Sequence, residues 1–278
     1  MKRMIAGFIF LLLVLGSCNN KKSNNLPIQA TESVHRLNED SLAQAAKGPH
    51  QSHADELFND FIYSFASDPT VQRQRIVFPL LVDNGGKKSF IDARHWKHDY
   101  LFIHQKIYTL IFDRQKDMDL VNDTSLKSVQ VEWLYPKNKM VKHYNFKRVR
   151  GMWLLESINM SHMTNIEDET FLNFYGRFST DSLFQAQRVC QPLKFVTANP
   201  DDDFSMIEAT INVSQWFAFK PQLPILQMSN INYGQQNSDK SIQKIVAFKG
   251  VSNGFSNVLY FRKKAGKWKL YKFEDTGI

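Results

Sequence analysis
FNDFIYSFASDPTVQRQRIVFPL, residues 58–80, is answered without a gap by FLNFYGRFSTDSLFQAQRVCQPL, residues 171–193, at a constant offset of 171 − 58 = 113. Phe58/Phe171, Phe61/Phe174, Phe65/Phe178, Asp68/Asp181, Gln72/Gln185, Gln74/Gln187, Arg75/Arg188, Pro79/Pro192 and Leu80/Leu193 are identical. Further along, Phe146, Gly151, Trp153 and Leu155 match Phe261, Gly266, Trp268 and Leu270 at 268 − 153 = 115. One unit is written twice. In each copy, aromatic residues recur three and four apart, which predicts an amphipathic helix whose stripe packs into a core. Asp68-Pro69 reads as an N-cap with proline at the first helical position, and Thr180 or Asp181 answers it in the second copy.

Both copies then turn to strands. Val77 to Val82 and Lys88 to Ala93 flank Asp83-Asn84-Gly85-Gly86, a hairpin signal. Val129, Val131 and Trp133 alternate with Gln130 and Glu132 ahead of a turn at Pro136 to Lys139, and Met140 to Val149 and Met152 to Asn159 are separated by Arg150-Gly151. The second copy offers Ile242 to Lys249, Phe255 to Lys263 and Lys267 to Glu274. With one apolar face per strand, each sheet is expected to be covered on one side by its helices. The fold class is α+β, with units at 53–160 and 161–278.

The N-terminus gives an address. Lys2 and Arg3 precede an apolar run from Met4 to Leu15, followed by Leu15-Gly16-Ser17-Cys18, the order of parts in a secretory signal peptide. The run falls short of the ~20 residues that span a bilayer. Leu-Gly-Ser-Cys resembles the bacterial lipobox, which makes Cys18 a lipid attachment site and residues 1–18 its leader. Several acyl chains, at about 0.8 kcal/mol per buried methylene, hold a protein on a membrane where one chain is marginal. Residues 19–52 are poor in large apolar side chains and read as a flexible tether. Within it, Asp40-Ser41-Leu42 resembles an O-glycosylation acceptor of Bacteroidales envelope proteins.

Charge and cysteine content narrow the rest. Lys+Arg 35 against Asp+Glu 27 gives +8, and removal of Lys2 and Arg3 leaves 33 − 27 = +6. The excess is spread along strands rather than focused, so no nucleic-acid partner is expected. After maturation Cys190 has no intramolecular partner. It stands opposite Val77 of the first copy, which reads as a small buried hydrophobe.

The Phe-x-x-Phe-x-x-x-Phe helices, the passage from Asp68 to Leu80 and the Trp-x-Leu final strand resemble a lipoprotein family of the Bacteroidales built on a domain of unknown function. That resemblance covers nearly everything from about Ala54 onward. It implies two tandem cone-shaped units of the nuclear transport factor 2-like (cystatin-like) superfamily, each with helices on a curved antiparallel sheet. It implies no activity. Gly176 against Tyr63 and Gln191 against Phe78 imply that two cavities would differ. Asn19-Asn20-Lys21-Lys22 lacks the acidic residues associated with surface export in that group, which implies an outer-membrane anchor facing the periplasm.

His95-Trp96-Lys97-His98-Asp99, with Asp92 and Arg94 upstream, is the densest group of chemically able side chains. Asp92, Arg94, His95 and Trp96 are the candidate ligand-binding residues. Enzymes that resemble this fold place an Asp/His acid-base pair in the cone, a role Asp92 and His95 would fill by converging inside it. Two histidines three apart lack a third ligand at a recognisable spacing, so no metal is expected. Asp201-Asp202-Asp203 lacks the spacing and glycine of a calcium loop and reads as a solvated loop. Asp68, Arg75, Asp181 and Arg188 read as structural repeat pairs, a cap and an arginine tying helix to sheet. With no nucleophile-base pair and no phosphate loop, neither catalytic residues nor a cofactor is expected. The favoured reading is a non-enzymatic envelope binding module for a small molecule, glycan or partner protein, with Trp96, Trp133, Trp153, Trp216 and Trp268 available to line its pocket. An enzyme of the cone type and a structural scaffold are the alternatives.

Overall fold
The computed structural model describes residues 55–162, 170–235 and 240–277. Cys18, Ser41 and the tether lie outside the described residues. The first half runs α1 (Phe58–Ser67), α2 (Pro69–Gln74), β1 (Ile76–Asn84), β2 (Lys87–Ile91), β3 (Ile107–Phe112), a 3-10 helix (Gln115–Asn122), β4 (Ser128–Tyr135), β5 (Met140–Val149) and β6 (Met152–His162). The second runs α3 (Phe171–Thr180), α4 (Ser182–Arg188), β7 (Val189–Asn199), β8 (Asp202–Ile211), α5 (Val213–Phe219), β9 (Met228–Asn232), β10 (Gln243–Gly250), β11 (Ser256–Lys264) and β12 (Lys267–Asp275).

The helices form where the aromatic spacing demands. α1 buries Phe58, Phe61, Ile62 and Phe65, and α3 buries Phe171, Phe174, Tyr175 and Phe178. Asp68 stops α1 and caps α2, accepting from the backbone N–H of Thr70 at 2.7 Å and of Val71 at 3.2 Å, with Pro69 in the first turn. Asp181 does the same for α4 through Phe184 N at 2.9 Å, and this hydrogen bond, ahead of Arg177, holds its carboxyl below the ordinary value. The stripes meet duplicated partners. Phe58 lies 5.4 Å from Phe146 and 5.0 Å from Trp153, while Phe171 lies 5.3 Å from Phe261 and 5.2 Å from Trp268. Each such ring contributes about 1.5–3 kcal/mol by leaving water.

Two six-stranded sheets follow, in the orders β2-β1-β6-β5-β4-β9 and β3-β10-β11-β12-β7-β8. The sheets are mixed rather than antiparallel throughout: β1 runs parallel to β6, and β7 parallel to β12. A parallel ladder needs a long connection between its strands. Here almost the whole unit separates the first strand after the helices from the last strand of the meander.

The halves exchange a strand. β9, from the second half, pairs with β4, and β3, from the first half, pairs with β10. Ile231 stands opposite Val131 and Ile111 opposite Val246, so the exchanged strands occupy equivalent places, with 246 − 131 = 115 and 231 − 111 = 120. They also touch each other. Thr109 N donates to Ser229 Oγ at 3.0 Å, the Thr109 hydroxyl donates to Ser229 O, and Ile111 N donates to Asn230 Oδ1 at 2.7 Å. Thr109 and Ser229 are themselves equivalent (229 − 109 = 120), so the seam lies on a local two-fold relation between the halves. A cut between residues 160 and 161 therefore separates the repeats as sequence but takes one strand from each sheet.

Exchange alters burial as well. β10 is covered on both faces: Ile245 and Ala247 join the first half's core, and Val246 and Phe248 the second's. One-sided covering thus fails for this strand, because the first half's core packs on its far side. At its start, Lys244, which replaces Val129 of the first copy (244 − 129 = 115), forms a buried ion pair of 2.6 Å with Asp113 at the end of β3. Cys190 is half-buried rather than buried, although its counterpart Val77 lies in the core. Asp201 and Asp202 sit at the β7–β8 hairpin tip, and Asp202 already belongs to β8 rather than to a loop.

Candidate functional site
Asp92 accepts from the backbone N–H of Arg94 at 3.0 Å and of His95 at 3.1 Å, and its Oδ1 lies 2.8 Å from His95 Nδ1. This is a turn cap, and those bonds to His95 hold the Asp92 carboxyl below its ordinary value. The second half has the same device 120 residues on: Asn212 accepts from Gln215 N, and Gln215 reaches back to Asn212 N, in a capping box at the start of α5. Asp92/Asn212 and His95/Gln215 are thus equivalent pairs that hold the next residue, Trp96 or Trp216, in place. The side chains of His95 and Asp92 are 80% and 57% exposed, which corrects the expectation that they converge inside the first unit. Arg94 is exposed on the same turn.

Trp96 is buried, and so are Trp133, Trp153, Trp216 and Trp268, so the expected aromatic lining is core. Trp96 donates its indole N–H to Gln72 Oε1 at 3.0 Å, and Trp216 donates to Gln185 Oε1 at 3.2 Å. Arg75 makes a two-pronged ion pair with Asp55 at 2.9 and 2.8 Å, whereas Arg188 donates to the carbonyl of Trp268 on β12 at 3.1 Å. The arginine-to-sheet tie therefore holds for the side chain of Arg188, while that of Arg75 reaches the segment before α1.

Trp96 lines a cleft of about 600 Å³ together with the apolar Val82, Ile91, Leu101 and Ile158 and the polar His98, Asp99, Tyr100 and Lys142. Gln72 positions Asp99, accepting from its backbone N–H at 2.9 Å and donating to its carbonyl at 2.8 Å. Tyr144 donates to Asp99 Oδ2 at 2.5 Å, and Lys142 Nζ donates to the Tyr144 oxygen at 2.5 Å. Burial, then the charge and hydrogen bond of Asp99, push the Tyr144 hydroxyl well above its ordinary value. The phenol stays protonated and serves as a donor, not a base. The ammonium and carboxylate at either end of this relay remain 26% and 30% exposed, so both can meet a ligand.

His98 lines the cleft beside them. Its Nε2 lies 2.7 Å from Ala66 O, so in the neutral ring Nε2 carries the proton and Nδ1 a lone pair. That Nδ1 is buried with no hydrogen-bond partner among the described residues. The ring stacks on Tyr100 at 4.4 Å, and Tyr100 on His104 at 4.2 Å.

The second half carries larger apolar side chains at the same place. Val82, Ile158 and Asp99 correspond to Phe195, Phe273 and Phe219, at offsets 195 − 82 = 113, 273 − 158 = 115 and 219 − 99 = 120. Phe195 stacks on Phe219 at 5.9 Å and lies 5.3 Å from Phe273. Val82 and Ile158 are direct partners across the parallel ladder, as are Phe195 and Phe273.

Of the candidate residues, only His95 and Trp96 border this cleft, and Asp92 and Arg94 stand outside it. His98 and Asp99 lay within the cluster the sequence singled out, but Lys142 and Tyr144 were missed. Their signal is periodicity: Lys142, Tyr144 and Phe146 are the residues of β5 opposite Trp133, Val131 and Val129, so the lysine sits at a core-facing position. Among the described residues, no three His, Cys, Asp or Glu side chains gather closely enough to hold a metal ion, and no helix is long and apolar enough to cross a membrane.

Comparison with known proteins supplies kinship. A search of curated proteins finds no match. Among solved structures, a nuclear transport factor 2-like protein from Bacteroides fragilis NCTC 9343 is similar at 59% identity, with a TM-score of 0.80 over 83% of this chain and 100% of that one. The family model described as "Domain of unknown function (DUF4348)" matches residues 38–275. With that match spanning most of its length, the chain belongs to the DUF4348 family and has the nuclear transport factor 2-like fold.

Proposed function
We propose that the protein is a lipid-anchored binding module of the bacterial cell envelope, held on the outer membrane through Cys18 and facing the periplasm, which takes a small ligand in the cleft of its first half. The observation that carries this reading is the difference between the repeats. Where the second half carries Phe195, in ring contact with Phe219 and Phe273, the first keeps Val82, Asp99 and Ile158 around open space. Closing such space with larger apolar side chains would stabilise the core, so retaining it favours a ligand. Apolar walls with a few convergent polar groups are the usual make-up of a small-molecule site. A suitable ligand offers an apolar body, an acceptor for Lys142 and a donor for Asp99.

Non-enzymatic binding is preferred because the buried phenol is locked as a donor, and the one Asp/His pair proposed for catalysis lies in solvent. The test is a thermal-shift and calorimetric screen of envelope glycans, lipids and peptides on the full chain, repeated on Val82→Phe/Ile158→Phe. Copying the second half's rings should abolish binding while leaving the melting temperature equal or higher. Absence of any ligand across the screen, or binding untouched by the double variant, removes the proposal. Anchoring is checked separately by mass spectrometry of the mature N-terminus, where acylation at Cys18 should disappear in Cys18→Ser.

A further inference from the structure
We infer that copies of this chain associate head to tail, the β2 edge of one pairing with the β8 edge of the next. The strand exchange at the seam uses up the inner edges of both sheets, β9 and β3, against each other. It leaves β2 and β8 as the outer edges, each hydrogen-bonded on one side alone among the described residues. Such an edge presents a row of unpaired backbone groups, and proteins normally blunt it with lysine, proline or a covering element.

The two edges carry opposite charge. β2 is exposed from Lys87 through Phe90, with Lys87 and Lys88 side by side and Phe90 59% exposed. β8 is entered through exposed Asp201 and Asp202 and carries exposed Glu208. Among its described side chains it has no lysine and no proline, and it shows Phe204 fully and Met206 and Ile207 by 46% and 40%. Large apolar side chains on a strand exposed along both faces are an unusual surface for a protein that works alone.

Charge decides the partner. β2 carries positive charge alone and β8 negative charge alone, so pairing either edge with itself gains no opposite-charge contact, whereas β2 against β8 can join opposite charges across the ladder. Run antiparallel with Lys88 opposite Glu208, the register also sets Phe90 opposite Met206 and Ser89 opposite Ile207, since 88 + 208 = 90 + 206 = 89 + 207 = 296. Side chains two apart share a face, so the ion pair and the apolar pair lie on the same side of the joined sheet. Each copy has one edge of each kind. The contact is therefore heterologous and propagates into a ring or a filament.

The experiment uses the full chain carrying Cys18→Ser and Cys190→Val, so that no native thiol takes part. Lys88→Cys and Glu208→Cys proteins are mixed under mild oxidation. A disulfide-linked pair should form from the mixture and not from either protein alone, and it should be lost at high salt as the attraction is screened. Lys88→Glu should abolish sedimentation of the otherwise unmodified chain as larger species, and mixing it with Glu208→Lys should restore association. Lys88 and Glu208 are both exposed, so unchanged circular dichroism confirms that each variant folds. Cross-linking of either cysteine protein with itself at the rate of the mixture, no cross-link at all, or a monomer in sedimentation at every concentration overturns the inference.

Discussion
Gln72 fills every hydrogen-bonding position its amide has. Nε2 donates to Phe65 O at 2.9 Å and to Asp99 O at 2.8 Å, while Oε1 accepts from Trp96 Nε1 at 3.0 Å and from Asp99 N at 2.9 Å. One wholly buried side chain thereby joins α1, the tryptophan turn and the residue that anchors the cleft's polar end. Gln185 makes the same two bonds to helix and tryptophan, to Phe178 O at 2.6 Å and from Trp216 Nε1 at 3.2 Å. Gln72→Leu leaves buried donors and acceptors without partners, and should cost roughly 2–4 kcal/mol in urea melts, with Gln185→Leu costing roughly half as much. It should also weaken ligand binding, since Asp99 is released, whereas Gln185→Leu should not. Equal losses of stability and binding from the two variants would contradict this assignment. The identity Gln72/Gln185 is visible in the sequence at offset 113, yet its purpose is not. Trp96 and Trp216 match at 120, beyond insertions that break the alignment, so the partners of the repeated glutamines do not line up with them.

Between elements, the pairing that defines the molecule is carried by polar atoms in a buried seam. β9 reads Met-Ser-Asn-Ile-Asn, with no apolar alternation to announce a strand, because its side chains serve neighbouring strands: Ser229 and Asn230 accept from β3, and Asn230 Nδ2 donates to Glu132 Oε2 on β4 at 2.8 Å. Hydrophobic period is the main strand signal in a sequence, and here hydrogen-bonding duty has replaced it. Both meanders and the hairpin at Gly85-Gly86, where both glycines take positive φ of 62° and 94°, were legible because their turns and alternation are local. Lys244 shows how the seam is secured on the other side. Lys244→Val restores the residue of the first copy but takes away the ammonium 2.6 Å from the Asp113 carboxylate, which is 8% exposed. Removing one member of a buried pair costs about 3–5 kcal/mol, while replacing both is often close to neutral. The single variant should therefore melt far lower than Lys244→Val/Asp113→Val, read by differential scanning calorimetry. A double variant no more stable than the single would show that the pair does not act as a unit.

Across the whole molecule, duplication of sequence has not produced two independent bodies. The duplication itself was plain in residues 58–80 and 171–193, but strand exchange leaves no trace in either copy, since it joins segments 94 or more residues apart with no local pattern to record it. Its consequence is energetic. The first half's core includes Ile231, Tyr233, Ile245, Ala247, Val258 and Tyr260 from the second, whereas the second half's core takes Ile111 and Leu134 from the first. At about 1.5–3 kcal/mol for each large side chain removed from water, the first half draws on the order of 10 kcal/mol from its neighbour, as much as the whole stability of an ordinary domain. The second half draws less. Two fragments divided between His162 and Thr170 should therefore behave unequally. The N-terminal fragment alone should lack a cooperative melt and aggregate through β3 and the bare edge of β4, and the C-terminal fragment should keep part of its helical signal. Co-expression should return a one-to-one complex with a single transition, followed by circular dichroism and size-exclusion chromatography. A sharp, monomeric melt from the N-terminal fragment by itself would mean that its core closes without the borrowed strand, and that the exchange is an ornament of packing rather than the condition for folding.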